Sequence, residues 1–199
     1  TLVGLERDWV PKALGTSLYV RPTIIANEAF LGVRPARSYI YFVILSPVGA
    51  YYPEGMAPVK IRVEERYVRA VDGGLGGAKT GANYAASLMS GEEAKHERFT
   101  QVLWLDGVHR KYIDEVGTMN IMVKIGGEVI TPPLGGTILR GVTRDSVLTL
   151  LKDWGIKASE RQISIDEVVA AHKAGTLEEV FRTGTAGVTD TTRTATATT

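Results

Sequence analysis

GGLGGAKTGANYAAS, Gly73 to Ser87, is the stretch on which the reading of this chain turns. Residues 72–82 (DGGLGGAKTGA) carry five glycines, too many for a helix or a strand, and read as loop. From Asn83 to about Phe99 the pattern turns helical. Lys79 therefore sits in a glycine-rich loop just ahead of a helix. Such a lysine can cradle a phosphate, present an amine as a nucleophile, or stand solvated in a surface loop. A nucleotide P-loop needs GxxxxGK followed at once by Ser or Thr. Thr80 follows Lys79, but Ala78 precedes it, and the match fails.

Outward from this loop, apolar periodicity alternates strands with helices. Leu18–Ile25 and Ser38–Ser46 read as strands around a Gly32/Pro35 turn. PVGAYYPEG (Pro47–Gly55) is dense in Pro and Gly and reads as a linker. Val59–Val63 alternates as a half-buried strand, 101–105 (QVLWL) and 119–125 (MNIMVKI) read as strands, and 128–133 (EVITPP) is a short strand stopped by two prolines. Val147, Leu150, Leu151 and Trp154 recur at helical spacing before Gly155. Ser164 and Glu167 form a capping box for a helix with Ile165, Val168, Val169 and His172 on one face, closed by Gly175. The class is mixed α/β (α+β), a small N-terminal piece and a larger C-terminal one meeting at 47–58.

Bulk properties narrow the function. With 199 residues, 44% hydrophobic and 23% charged, the chain has ordinary globular composition. A net charge of +1 gives no reason to expect nucleic acid or an anionic membrane as partner. No apolar run approaches the roughly 20 residues that span a bilayer. The first residues, with Glu6, Arg7 and Asp8, do not resemble a signal peptide. There is no cysteine, which excludes disulfides, thiolate zinc sites and thiol nucleophiles and fits a reducing cytosol. His96, His109 and His172 lack metal-ligand spacing, so no metal is expected. The chain starts at Thr1 rather than Met, which suggests a processed or partial sequence. Nine of its last 17 residues are Thr, so the end from about 189 is expected to be frayed.

Three further segments can carry chemistry. In YIDEVGTMNIMVKI (Tyr112–Ile125) an acidic pair precedes a buried strand; Glu115 there can hold a protonated ring nitrogen or be a strand-edge charge facing water. In TPPLGGTILRGVTRDSV (Thr131–Val147), Gly141, Val142 and Thr143 lead into a helix over 144–154. Its first N–H groups make an anion site, with Thr143 as cap and donor, or Thr143 is a plain N-cap. In FRTGTAG (Phe181–Gly187) a Gly/Thr turn follows an apolar strand and again offers free N–H groups.

Taken in this order, the lysine loop, EVGTMN, GVTR before a helix and TGTA resemble the branched-chain amino acid aminotransferases, within the fold-type IV pyridoxal phosphate enzymes. LYVRP (Leu18–Pro22), NEAFLGVRPA (Asn27–Ala36), SPVGAYYPEG (Ser46–Gly55) and QVLWLDG (Gln101–Gly107) resemble the same family, and the likeness covers about residues 3 to 188. It implies a remnant of a small N-terminal domain over 1–46, an interdomain linker over 47–58, a large cofactor-binding pseudo-barrel domain over 59–188 and a disordered Thr-rich tail over 189–199.

The resemblance also implies roles. Lys79 matches the lysine that carries pyridoxal 5'-phosphate and shuttles a proton. Tyr84 matches the tyrosine bonded to the cofactor's phenolic oxygen, and Glu115 the carboxylate at its ring nitrogen, with Thr118 supporting the ring. Val142 and Thr143 match the phosphate turn. Thr185, Ala186 and Gly187 match the turn serving the phosphate and the substrate carboxylate. Tyr19 and Arg21 match residues lining the substrate side, and Tyr51 the linker aromatic that closes over the substrate side chain. The implied activity is transamination of leucine, isoleucine and valine with 2-oxoglutarate by a cytoplasmic homodimer or higher oligomer (mitochondrial matrix in a eukaryote). An aminodeoxychorismate lyase or a D-amino acid aminotransferase of the same fold, or an inactive fragment, are the alternatives. The family's phosphate-gripping arginine lies in a segment that would precede Thr1, so weak cofactor binding is expected of these 199 residues.

Overall fold

The computed structural model describes residues 1–49, 58–184 and 187–192, the last six by their backbone alone. The chain separates into two compact units, Thr1–Pro53 and Glu54–Thr199. In the first, helix α1 (Leu2–Leu5) and a 3-10 turn over Arg7–Trp9 lead into a hairpin of β1 (Ser17–Ala26) and β2 (Tyr39–Val48). Both strands are rich in β-branched and aromatic residues, and they pair antiparallel from Ser17–Val48 to Ala26–Tyr39. The intervening loop is clasped by an Arg34–Glu28 ion pair at 2.6 Å.

The second unit begins with β3 (Ile61–Glu64), α2 (Gly81–His96), β4 (Gln101–Leu105) and β5 (Ile113–Val116). It continues through β6 (Asn120–Ile125), β7 (Glu128–Thr131), α3 (Val142–Asp153) and β8 (Ala158–Glu160). Helix α4 (Ile165–Lys173), β9 (Leu177–Gly184) and β10 (Gly187–Thr192) complete it. One sheet has the order β3-β4-β5 and the other β10-β9-β6-β7-β8. Leu103, Leu105, Ile113 and Val116 of the first pack on Ile121, Val123 and Ile130 of the second, with Ile163 and Val168 joining them. Strand β6 is buried on both faces. Ile121 and Val123 point into that core, while Met122 points the other way, onto Leu151 of α3. This is why the MNIMV run has no polar alternation.

Several expectations are modified. The buried face of α3 is Val147, Leu148 and Leu151, whereas Leu150 and Trp154 are exposed. The apolar spacing is that of a helix, but one neighbouring position decides which flank meets the sheet. In α4, Val168 and Ala171 are buried and His172 is exposed. Ser164 caps α4 by accepting from the Glu167 N–H at 3.0 Å, but the Glu167 carboxylate pairs with Arg161 at 2.6 Å instead of completing the box. The Thr-rich end is a strand as far as Thr192, because β10 adds antiparallel to β9. Residues 193–199 of the expected tail and 50–57 of the expected linker, Tyr51 among them, lie outside the described residues. No described helix is long and apolar enough to cross a membrane.

Candidate active site

The lysine loop is pinned from two sides. Asn83, on the first turn of α2, donates its side-chain amide to the carbonyls of Leu75 and Ala78, each at 2.8 Å. On the other side Gly76 lies against the Thr137 carbonyl, where a Cβ would collide with the backbone. Held in this way, Lys79 donates from Nζ to the Tyr84 hydroxyl at 3.0 Å, its ammonium 5.6 Å from the ring centroid. The Lys79 side chain is exposed, so its amine is oriented by a hydrogen bond and still accessible.

Glu115 stands on the buried face of β5, 3% exposed, which removes the reading of a strand-edge charge facing water. Its Oε2 meets Arg69 Nη2 at 3.2 Å; its Oε1 accepts from the Leu139 N–H at 3.1 Å and from Asn120 Nδ2 at 3.3 Å. Burial pushes the Glu115 carboxyl above the usual carboxylate range, against the pull of Arg69 and the Leu139 N–H, and the Asp114 charge adds to the push. A carboxylate has room for a further donor beyond these three.

Asp114, next along the strand, bonds to the Thr137 side chain and is pushed up to about 6 by burial, opposed by Arg69. Its value in an unfolded chain is about 3.9. The folded protein therefore holds this proton more tightly than the unfolded one, and the contribution of Asp114 to stability falls as pH rises from about 4 to about 6. Asn has no such proton. Asp114→Asn is thus expected to exceed the parent in stability above pH 6 by on the order of 1–2 kcal/mol, allowing for solvent screening of a partly exposed group. The gain should vanish below about pH 4. Urea melts of both proteins at pH 4 and pH 7 check this, and an equal difference at the two pH values would contradict it.

The third part is the start of α3. The helix begins at Val142 with Gly141 as N-cap, at φ +67°, and no side chain among the described residues caps it. Thr143 is therefore not the cap expected of it but lies inside the first turn. The change strengthens the anion reading, because Val142, Thr143 and Arg144 are positions whose N–H groups have no partner within the helix. A cavity of about 390 Å³ extends from Lys79, Glu115 and Thr118 to this turn. Thr183, 1% exposed, also lines it, and the Thr183 hydroxyl has no hydrogen-bond partner among the described residues.

Three residues that sequence reasoning passed over belong here: Arg69, Asn120 and Thr183. Arg69 has no local signal at all. A buried Asn opening the apolar β6 run was the clue to Asn120. Of the arginines near α3, Arg144 is buried and committed to the Pro132 carbonyl at 2.9 Å and Glu160 at 2.6 Å. Arg140 lines the cavity and has no ion pair among the described residues.

Tyr19 and Arg21, two apart on β1, are brought together: Arg21 Nη2 donates to the Tyr19 hydroxyl at 3.1 Å and stacks 5.0 Å from the ring centroid. Thr185 and Ala186 lie outside the described residues, and Gly187 is described by its backbone alone, paired with Gly184 at the start of β10. Among the described residues no cluster of His, Asp or Glu could hold a metal ion.

A mixed fold that presents a tethered lysine, a buried carboxylate and an uncapped helix start around one cavity defines a class of protein, and the comparisons agree. The model of the amino-transferase class IV family matches residues 5–190. The chain belongs to the class IV aminotransferases. It is 60% identical over 187 residues to branched-chain-amino-acid aminotransferase 2 of Bacillus subtilis, covering 94% of this chain and 52% of that protein. It is 56% identical over 188 residues to branched-chain-amino-acid transaminase 1 of the same organism, covering 94% and 53%. Among solved structures, the Escherichia coli branched-chain amino acid aminotransferase superposes with a TM-score of 0.77 at 30% identity, over 91% of this chain and 58% of that one. An aminotransferase from Brucella abortus, bound to the co-factor PLP, shares the fold with a TM-score of 0.75 at 24% identity, over 98% and 69%. The chain spans about half the length of the curated relatives it matches.

Proposed function

We propose that the chain carries pyridoxal 5'-phosphate on Lys79 and serves the transamination of leucine, isoleucine and valine with 2-oxoglutarate. One observation carries the reading: Lys79, held by Tyr84, opens onto a cavity bounded by Glu115 and by the free first turn of α3. The donor set fits the cofactor. The unpartnered hydroxyl of Thr183 and the uncapped amides of Val142 and Thr143 suit a phosphate, Glu115 suits a protonated ring nitrogen, and Thr118 stands beside it. Bound there, the cofactor supplies an electron sink for charge developing at the substrate Cα.

The chain's own residues do the rest. The Tyr84 hydroxyl orients Lys79 Nζ and can share a proton with the cofactor's phenolic oxygen in turn. With the cofactor bound, Lys79 Nζ would be the base that takes the substrate's Cα proton and delivers it to the cofactor's C4′ carbon. Arg69 and the Leu139 N–H pull Glu115 toward its ionised form against the larger push of burial, and a protonated ring nitrogen would add to that pull. Thr185, Ala186 and Gly187 serve the substrate carboxylate in this reading. The names of the curated relatives favour the branched-chain substrates over those of a lyase or a D-amino acid enzyme. A cytoplasmic location and assembly as a homodimer or higher homo-oligomer belong to the same proposal.

The test is an amino-donor assay on the chain with pyridoxal 5'-phosphate and 2-oxoglutarate. Leucine, isoleucine and valine should give glutamate, slowly because cofactor binding is weak, and D-alanine should give none. Glutamate from D-alanine alone, or release of pyruvate from aminodeoxychorismate, would assign another activity of the same fold.

A further inference from the structure

Asn120 opens β6, and the residues after it, Ile121, Met122 and Val123, are wholly apolar and buried. A buried amide is costly unless its hydrogen bonds are made. The amide of Asn120 is used in a particular way. Nδ2 donates to the Leu139 carbonyl at 2.9 Å and to Glu115 Oε1 at 3.3 Å, while the Leu139 N–H donates to the same Oε1 at 3.1 Å. Asn120, Glu115 and the Leu139 backbone thus close a ring of three partners.

The other end of the amide touches the anion turn. Gly141, the N-cap of α3, has φ +67°, and a Cβ built on it would run into Asn120 Oδ1. Opposite Asn120 in the β6–β9 register stands Thr183, whose unpartnered hydroxyl lines the same cavity. One side chain therefore contacts the carboxylate at one end of the cavity and the turn that starts α3 at the other.

We infer that Asn120 is a positioning residue that couples the two ends of the site, so that an anion seated on the first turn of α3 improves the hold of Glu115 on the ring. The inference rests on the cofactor reading above. Its physical content is a linkage. If the Leu139–Gly141 segment is drawn onto an anion, its contacts with Asn120 and Glu115 tighten, and by reciprocity a ring held by Glu115 favours the anion.

The two halves of the ligand can be offered separately, as pyridoxal and inorganic phosphate. In the unaltered chain, saturating phosphate is expected to tighten pyridoxal binding, read by its visible absorbance, by about fivefold or more. In Asn120→Ala the two ligands should still bind, but the tightening should fall to none. Gly141→Ala breaks the link from the other side, by placing a Cβ where Oδ1 sits, and should do the same. Far-ultraviolet circular dichroism establishes which variants are folded, and either one, if folded, suffices for the test. Retention of the full effect in a folded variant would overturn the inference, as would its absence from an unaltered chain that binds both ligands. Failure of the unaltered chain to bind pyridoxal at all would overturn the cofactor reading itself.

Discussion

Lys79→Ala is expected to abolish covalent attachment of pyridoxal 5'-phosphate, its visible absorbance band and amino transfer together. This is the largest effect the site predicts, because one atom serves as attachment point and as base. Loss of a positioned general acid–base group alone costs about 10² to 10⁴ in rate. Other lysines are poorly placed to substitute. Lys95 is paired with Glu92 at 2.5 Å and Lys124 with Glu178 at 2.6 Å, and no glycine-rich loop presents either of them to the cavity. Absorbance spectra and glutamate formation, compared in parent and variant, check the expectation. A variant that kept the band would show that another amine holds the cofactor.

Glu115→Gln should damage turnover far more than Asp114→Asn. Glu115 is buried at the cavity with Arg69, Asn120 and the Leu139 N–H around it, whereas Asp114 bonds to the Thr137 side chain. Removing a charge-assisted bond worth about 1.5–3 kcal/mol lowers the rate by about 10- to 150-fold before any change in the electron sink is counted. The Asn variant keeps both its shape and its Thr137 partner, so its turnover should stay close to that of the parent. Turnover numbers for the two variants at pH 7 decide between the carboxylates, and equal losses would remove Glu115 from its role.

How far the site could be read in advance differed from residue to residue. Strand alternation sufficed to set Glu115 and Asp114 on different faces, because a period of two leaves no choice. The lysine loop was legible from its glycines, but its rigidity was not: that comes from Asn83 bonding back across the loop and from Gly76 against Thr137. Thr143 looked like a cap on composition, and the left-handed Gly141 took the position because its backbone can adopt φ +67° without strain. The flank of α3 that meets the sheet was set by Met122, Val129 and Phe181, which are remote in sequence. Arg69 reaches Glu115 only through the tertiary fold, so no local pattern could announce it. The residue-by-residue roles came from motifs in their order along the chain. Physical reading alone left a nucleophilic lysine and a solvated one both open.

The central claim is that Lys79 is the residue that bonds the cofactor. Incubation of the chain with pyridoxal 5'-phosphate, reduction with borohydride and peptide mapping test it most directly. The pyridoxyl mass is expected on the peptide containing GGAKTGANY, at Lys79. A label on Lys60, Lys95 or Lys124 instead would contradict the account.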